Sequence, residues 1–301
     1  MPKKKPQASG ASFAVGLIIA VVAYFYIQRT DSSDAAITTA TTAEATSTAK
    51  TISAPSNEKE QATDLTDYHV GDDLRFAMPT TPKKMPEQLL VNDAYVSSFN
   101  RETLMPNWVA WCLTADHADG PVKRKGVKFT EDDRVASRYR VTTYDYMQSG
   151  YDRGHLCPAG DNKWSEAAME QCFLMTNMCP QDHGLNIGDW NEMESQCRRW
   201  AKEYGKIYIV CGPILYRGQH SHIGQQHKVT VPEAFFKVVL CMSGKPKGIG
   251  FIYRNTDGNR PKGDYINSID QVERITGLDF FPSLPDNIEK HVEAEADLSE
   301  W

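Results

Sequence analysis

Residues 149–161, SGYDRGHLCPAGD, concentrate side chains suited to phosphate chemistry. His155 can act as a general base, because an imidazole titrates close to neutral pH. The planar guanidinium of Arg153 can bind two phosphate oxygens at once. Gly154 is expected to let Arg153 and His155 turn toward the same side. The segment therefore predicts a site for a phosphate ester.

A second segment, residues 175–196, supplies oxygen donors for a metal ion. Asn186 is expected at or just before the start of a helix, with Glu194 about two turns into it. Eight residues of regular helix turn by about 80° and rise about 12 Å, so these side chains can share a side but cannot both touch one ion. We expect Asn186 to bind the metal and Glu194 to reach it through water. Mg²⁺ (or Mn²⁺) fits, since Mg²⁺ keeps several waters and accepts few protein ligands.

Hydrolysis of a phosphodiester needs a base, a cation and a donor for the crowded transition state. His155 is suited to deprotonate the attacking water. A magnesium ion on Asn186 would take up charge on the phosphoryl oxygens and on the leaving 3′ oxygen. Arg153 would supply the donor. These residues predict metal-assisted cleavage of phosphodiester bonds.

The two segments resemble the motifs of the DNA/RNA non-specific endonucleases, which are ββα-metal (His-Me finger) nucleases with a DRGH motif. The matching residues are YDRGHLCPAGD and TNMCPQDHGLNIGDWNEME, and the resemblance continues through NWVAWCLT, CGPIL, VPEAFFKVVL and ITGLDFFPSLP. It covers about residues 94–284. The combined pattern is much more specific than an Asp-Arg-Gly-His tetrapeptide alone.

The resemblance implies a role for each matching residue. His155 corresponds to the general base, and Asn186 to the single direct metal ligand. Glu194 holds metal-bound water, Arg153 contacts the phosphate, and Asn177 matches a further active-site asparagine that orients the site. Family members cut DNA and RNA, single or double stranded, with little sequence preference and leave 5′-phosphate ends.

Basic residues near the motif are candidates for nucleic-acid binding. The formal net charge of −6 excludes a protein that coats nucleic acid by bulk charge, but it leaves room for a local basic groove. Lys123 and Arg124 lie in VKRKGVK, and Arg138 and Arg140 in RVASRYR. We expect these four to guide the nucleic-acid backbone, and solvated loops are the alternative.

The seven cysteines do not indicate a zinc site, because none forms a CxxC pair. Their spacing gives no disulfide connectivity. Cys157 and Cys179 flank the motif segments and are either linked to each other or inert.

The elements that must position these residues are strands mixed with separated helices. Residues 94–100 and 107–114 predict an early hairpin, and three later apolar runs predict further strands (205–215, 234–241 and 247–255). Helices are predicted over residues 162–175, 189–205 and 268–277. This order favours an α+β fold with a central, mainly antiparallel sheet flanked by helices.

The first residues of the chain predict a membrane anchor and a linker. Residues 11–27 carry no charge and are long enough to cross a bilayer, and the preceding lysines favour a cytoplasmic N-terminus. We therefore expect an anchor in residues 1–28 and an extracytoplasmic domain. A cleaved signal peptide, giving a secreted or periplasmic protein, is the alternative. Residues 29–80, rich in Thr, Ala and Ser, predict a flexible linker before an endonuclease domain at 81–301.

Two other functions remain open for this sequence. One is a catalytically silent module that binds nucleic acid at the cell surface. The other is a phosphodiesterase acting on another substrate in the same fold. The complete set of His155, Asn186 and Glu194 favours the endonuclease.

Overall fold

The computed structural model describes residues 71–256 and 258–301. The predicted anchor, residues 1–28, and residues 29–70 of the predicted linker lie outside this part. Within the described ranges, no helix combines the length and the apolar composition needed to cross a bilayer.

The strands are short to medium in length, and the five predicted strands are found among them. Their bounds are β1 Gln88–Val91, β2 Tyr95–Asn100, β3 Met105–Thr114, β4 Asp152–His155, β5 Met178–Gln181, β6 Lys206–Ile214, β7 His222–Ile223, β8 Val229–Thr230, β9 Ala234–Cys241, β10 Lys247–Arg254 and β11 Ile266–Asn267. Seven of them form the main sheet in the order β1-β2-β3-β6-β9-β10-β11. Every neighbouring pair is antiparallel, which confirms the predicted central sheet.

Seven α-helices surround the sheet in the described residues. They are α1 Asp72–Ala77, α2 Ala115–Asp119, α3 Glu166–Gln171, α4 His183–Ile187, α5 Asp189–Tyr204, α6 Ile269–Thr276 and α7 Asp286–Ala294. Ser268 caps the start of α6, because its side chain accepts a hydrogen bond from the backbone N–H of Gln271. Gly277, in the left-handed conformation, caps the end of the helix. α3 is shorter than the predicted helix, because Ser165 caps its start and the chain leaves the helix after Gln171.

Alternating side chains of the sheet enter two apolar layers on its opposite faces. The first layer packs the sheet against α5; it includes Trp111, Ile209, Phe235 and Val239 of the sheet with Trp190, Met193 and Trp200 of the helix. The second packs the sheet against α1, α6 and α7; it includes Trp108, Val210, Phe236, Ala77, Val272 and Val292. Buried residues on both faces explain the almost continuous apolar sequence of β6 and β9.

A small hairpin lies apart from the main sheet and carries the DRGH residues. β4 pairs antiparallel with β5, with Gly154 opposite Cys179 and His155 opposite Met178. The chain then enters α4 and α5. This succession of two strands and a helix is the ββα arrangement expected of the α+β nuclease fold.

The folded unit begins before residue 81, where the composition places the end of the linker. α1 packs Leu74 and Phe76 against the second apolar layer and buries Ala77 completely. Asp73 accepts hydrogen bonds from Lys206 and Tyr208. Because these contacts join α1 to β6, residues 72–77 belong to the domain.

Candidate active site

Strand geometry places Arg153 and His155 together. In an extended strand the side chains of residues i and i+2 share one face, while the residue between them faces the other side. A Cβ added at Gly154 would lie 2.5 Å from the Cβ of Gln181. Arg153 and His155 therefore share a face because they alternate along β4, and Gly154 between them makes room for Gln181 on the other face.

The imidazole of His155 lies in an aromatic slot. Its ring centroid is 5.4 Å from that of Phe129 and 4.8 Å from that of Phe173. Its Nε2 atom is buried and has no hydrogen-bond partner. Burial, with the positive charges of Arg124 and Arg153, lowers the pKa of His155 to about 3. His155 is thus neutral at physiological pH, as a general base must be.

Two guanidinium groups lie beside this slot. The Cζ of Arg153 is 4.5 Å from the ring centroid of Phe129, and that of Arg124 is 5.4 Å from the centroid of Phe173. The Nε of Arg153 is buried without a hydrogen-bond partner. Between residues 71 and 301, Asp257 aside, no carboxylate forms an ion pair with either arginine. Their charge is available to an anion entering the site.

Asn186 is oriented by a residue of β4. Its Nδ2 donates to Oδ2 of Asp152 at 2.9 Å, and Nδ1 of His183 lies 2.8 Å from the same oxygen. Since the amide nitrogen is used in this bond, the Oδ1 of Asn186 remains for another partner. A neutral oxygen donor beside a carboxylate suits a hard, hydrated divalent cation. The residues present therefore fit the metal ion that the motif implies.

Glu194 lies in a different helix from Asn186. Gly188 separates α4 from α5, so the regular helix assumed between the two residues is interrupted. Burial raises the pKa of Glu194 to about 7, although the charges of Lys237, Arg198 and Arg124 oppose the shift. Arg124 acts on both Glu194 and His155 and so links the two halves of the site electrostatically.

Asn177 is fully buried, and its amide is saturated by the protein. Its Oδ1 accepts from the backbone N–H of Cys157, and its Nδ2 donates to the carbonyls of Cys157 and Cys172 at 2.8 Å each. All three of these bonds go to backbone groups of the protein. Asn177 holds the backbone that follows His155.

The cysteines near the motif are buried thiols. All seven cysteines are free and buried, so Cys157 and Cys179 are not linked. The Sγ of Cys211 in β6 approaches the carbonyl oxygen of Leu156 at 3.4 Å. These small side chains fill the space between the β4–β5 hairpin and the main sheet.

Among the four predicted nucleic-acid-binding residues, only Arg124 is beside the His155 slot. Lys123 and Arg138 are exposed, and Arg138 stacks on the ring of Tyr139. Arg140 donates to the carbonyls of Val135 and Asp133, so its guanidinium braces its own loop.

Three residues near the site cannot be predicted from the motif alone. Phe129 and Phe173 come from separate segments, and no local pattern marks them as walls of a slot. Lys237 is fully buried, with Nζ 4.2 Å from the ring centroid of Trp190 and without a hydrogen bond. Lys237 could have been noticed from the sequence, because it is the one charged residue in the apolar strand AFFKVVLC.

The chain is similar to known nucleases along most of the domain. The family model described as DNA/RNA non-specific endonuclease matches residues 74–287. Nuclease C1 of Cunninghamella echinulata var. echinulata is 35% identical over 226 residues, covering 70% of this chain and 88% of that protein. Nuclease 1, mitochondrial, of Schizosaccharomyces pombe is 34% identical over 226 residues, covering 68% of this chain and 69% of that protein.

A solved structure shows the same fold. A chain in the crystal structure of the EndoG/EndoGI complex superposes with a TM-score of 0.65 at 28% identity, covering 71% of this chain and 91% of that chain. Human endonuclease G, mitochondrial, is 31% identical over 210 residues, covering 65% of this chain and 70% of that protein. The family match spans more than half of the chain. The chain is therefore a nuclease and belongs to the DNA/RNA non-specific endonuclease family.

Proposed function

We propose that the chain is a Mg²⁺-dependent endonuclease that hydrolyses DNA and RNA without regard to sequence or sugar, leaving 5′-phosphate ends. The observation that carries this proposal is the neutral His155 in its aromatic slot, with Arg124 and Arg153 beside it. A base flanked by two cations without carboxylate partners is suited to an anionic ester and water.

His155 acts as the general base in this proposal. Its neutral imidazole takes a proton from the attacking water as the oxygen approaches phosphorus. The new phosphorus–oxygen bond forms while the bond to the 3′ oxygen breaks, which leaves the phosphate on the 5′ side. Hydrogen bonding between Trp190 Nε1 and the carbonyl of His155, at 3.3 Å, ties this strand to α5. The strand that carries His155 is thus bonded to β5 on one side and to Trp190 of α5 on the other.

The arginines account for the lack of specificity. Arg153 and Arg124 would contact the non-bridging oxygens, whose negative charge is the same in every nucleotide. Contacts to phosphate position a nucleic acid but carry no sequence information. They also do not involve the 2′ position, by which proteins distinguish RNA from DNA.

Asn186 would hold the metal ion through Oδ1, and Glu194 would accept hydrogen bonds from water bound to it. The ion, Mg²⁺ or Mn²⁺, supplies charge stabilisation for the phosphoryl and leaving oxygens when bound. Asp152 is a positioning residue, because it fixes the amide of Asn186. Asn177 positions the backbone after His155.

Cleavage of supercoiled plasmid and of a long RNA, in Mg²⁺ and in EDTA, tests the proposal. His155→Ala is expected to lower the rate on both substrates by at least about 100-fold, the usual contribution of a general base. His222→Ala, at an exposed histidine outside the site, is the matched control. Near wild-type cleavage by His155→Ala would show that another base is at work.

The same assay separates the two other functions. A silent binding module would retain plasmid in a gel without cutting it in Mg²⁺. A phosphodiesterase with another substrate would hydrolyse a small phosphodiester faster than either polymer. End-labelling of the products with and without phosphatase identifies the 5′-phosphate.

We also propose an extracytoplasmic location, with the N-terminal segment as the membrane anchor. The uncharged residues 11–27 after three lysines support it. Extraction of cell membranes with alkaline carbonate tests this location. An anchored protein stays in the pellet, whereas a secreted or periplasmic form after signal cleavage appears in the supernatant.

A further inference from the structure

A cluster of carboxylates joins two helices on the face of the sheet opposite the catalytic hairpin. Asp270 and Glu273 lie one turn apart on α6, and Glu293 lies on α7. One oxygen from each of the three lies within 4.8 Å of the other two. Oxygen ligands of one calcium ion, each 2.3–2.6 Å from it, are separated by such distances.

Glu293 is a buried acidic residue with an unpaired side-chain oxygen. Its side chain is buried, with 8% of the residue exposed, and its Oε1 atom is buried without a hydrogen-bond partner. A buried carboxylate oxygen without a partner loses its hydration and gains nothing in return. Glu273 differs, because its Oε1 accepts from the backbone N–H of Phe280 at 2.8 Å.

The charges around Glu293 do not offset the cost of burying its carboxylate, because they are negative as well. Burial raises the pKa of Glu293 to about 8, and the neighbouring charges that add to the shift are all carboxylates: Glu273, Glu289, Asp270 and Asp279. The pKa of Glu273 is also raised, by burial and by the same acidic surroundings. In the described part of the chain, none of the three clustered carboxylates forms an ion pair with a lysine, arginine or histidine.

We propose that Asp270, Glu273 and Glu293 form a second metal site, which binds a calcium ion between α6 and α7. Three carboxylates without nitrogen or sulfur donors suit a hard cation, and Ca²⁺ accepts a flexible set of oxygen ligands completed by water. The ion supplies the missing partner of Glu293 and replaces the proton that burial and the neighbouring carboxylates favour on this group, so calcium binding releases that proton.

This site has a structural role. α6 and α7 pack through Val272 and Val292 onto the second apolar layer, whereas the β4–β5 hairpin packs on the first. The catalytic Asn186 and the calcium site therefore lie on different sides of the sheet. Calcium binding is expected to stabilise the domain without taking part in hydrolysis.

Thermal unfolding of the full chain tests the site in an Asn186→Ala background, which removes the catalytic metal ligand. After dialysis against a chelator, CaCl₂ at about 100 times the dissociation constant is expected to raise Tm by at least about 5 °C. Glu293→Gln is expected to abolish the rise, since the amide keeps the shape but loses the charge. Glu289→Gln, on the same helix but outside the cluster, is the matched control and should retain it.

Isothermal titration calorimetry of the same variants gives the stoichiometry. One calcium ion per Asn186→Ala chain, and none after Glu293→Gln, supports the proposal. Asp270→Asn serves as the second test if Glu293→Gln fails to fold. The proposal is overturned if calcium leaves Tm unchanged in the Asn186→Ala chain, or if the rise persists in Glu293→Gln or Asp270→Asn. Neither result bears on nuclease activity, which Mg²⁺-dependent cleavage reports separately.

Discussion

At the scale of single residues, the site depends on keeping an imidazole uncharged beside two cations. Phe129 and Phe173 pack against the imidazole of His155, whose Nε2 atom is buried, while Arg124 and Arg153 disfavour a third positive charge. The two arginines, to which the proposed mechanism assigns the phosphate, therefore also keep the imidazole of His155 neutral. One arrangement thus explains both the positive charge of the site and the charge state of its histidine.

The charge state of His155 is the first prediction. Because burial and the arginines lower the pKa of His155 to about 3, its NMR resonances should not titrate between pH 5 and 8 in the metal-free protein. The unfolded chain protonates this histidine near pH 6.5. Acidification from pH 6.5 toward pH 3 therefore lowers the free energy of unfolding, because the unfolded chain binds a proton that the folded chain excludes. His155→Ala identifies the resonance, and a midpoint near 6.5 would contradict the prediction.

The second prediction concerns Asp152, which holds the amide of Asn186. Asp152→Ala should raise the Mg²⁺ concentration for half-maximal cleavage by about 10- to 100-fold, as removal of a residue that orients a metal ligand usually does. High Mg²⁺ should restore most of the rate, which distinguishes positioning from proton transfer. His183→Ala, which removes only the exposed partner of Asp152, should have a smaller effect. An unchanged Mg²⁺ requirement in Asp152→Ala would exclude this role.

At the scale of elements, β4 and β5 hold the predicted catalytic residues in place. β4 presents Arg153 and His155 on one face, and the opposite face is closed by Gln181 of β5. Trp190 of α5 then bonds to the strand through the carbonyl of His155. Each strand contains only four residues, so the pair depends on the close approach of its two strands rather than on a long run of hydrogen bonds.

The third prediction tests this close approach. In Gly154→Ala the new methyl group would lie 2.3 Å from Oε1 and 2.5 Å from Cβ of Gln181, so the hairpin must shift. We expect a loss of about 1–3 kcal/mol in the free energy of unfolding, with lower activity. Gly263→Ala is the control, because no atom lies within 4 Å of its added Cβ. Urea unfolding measures both, and equal stability of the two variants would refute the clash.

Long apolar elements could be predicted from the sequence, whereas the short strands β4 and β5 could not. Burial of both faces gives β6 and β9 apolar runs that identify them, and capping residues define α6. β4 and β5 have mixed, half-polar sequences, and only their pairing makes them strands. The motif identified His155 and Asn186, but Phe129 and Phe173 meet there only through the tertiary fold.

At the scale of the whole molecule, the main sheet separates two sets of charged groups. The β4–β5 hairpin and α5 cover one face, and α1, α6 and α7 cover the other. None of the predicted site residues belongs to α1, α6 or α7, which cover the second face. Changes there should alter stability more than the chemistry of cleavage.

The last prediction concerns the start of the folded unit. A chain that begins at residue 71 should unfold at the temperature of the full chain, since the described contacts of the domain lie within residues 71–301. A chain that begins at residue 81 lacks α1. It loses the ring contact of Phe76 with Tyr208, whose centroids are 4.6 Å apart, the buried side chain of Ala77 and the hydrogen bonds of Asp73 to β6. Losing this apolar burial and these bonds should lower Tm by at least about 5 °C. Circular dichroism measures both chains. Equal Tm values would mean that α1 adds nothing to the domain and that residue 81 is an adequate boundary.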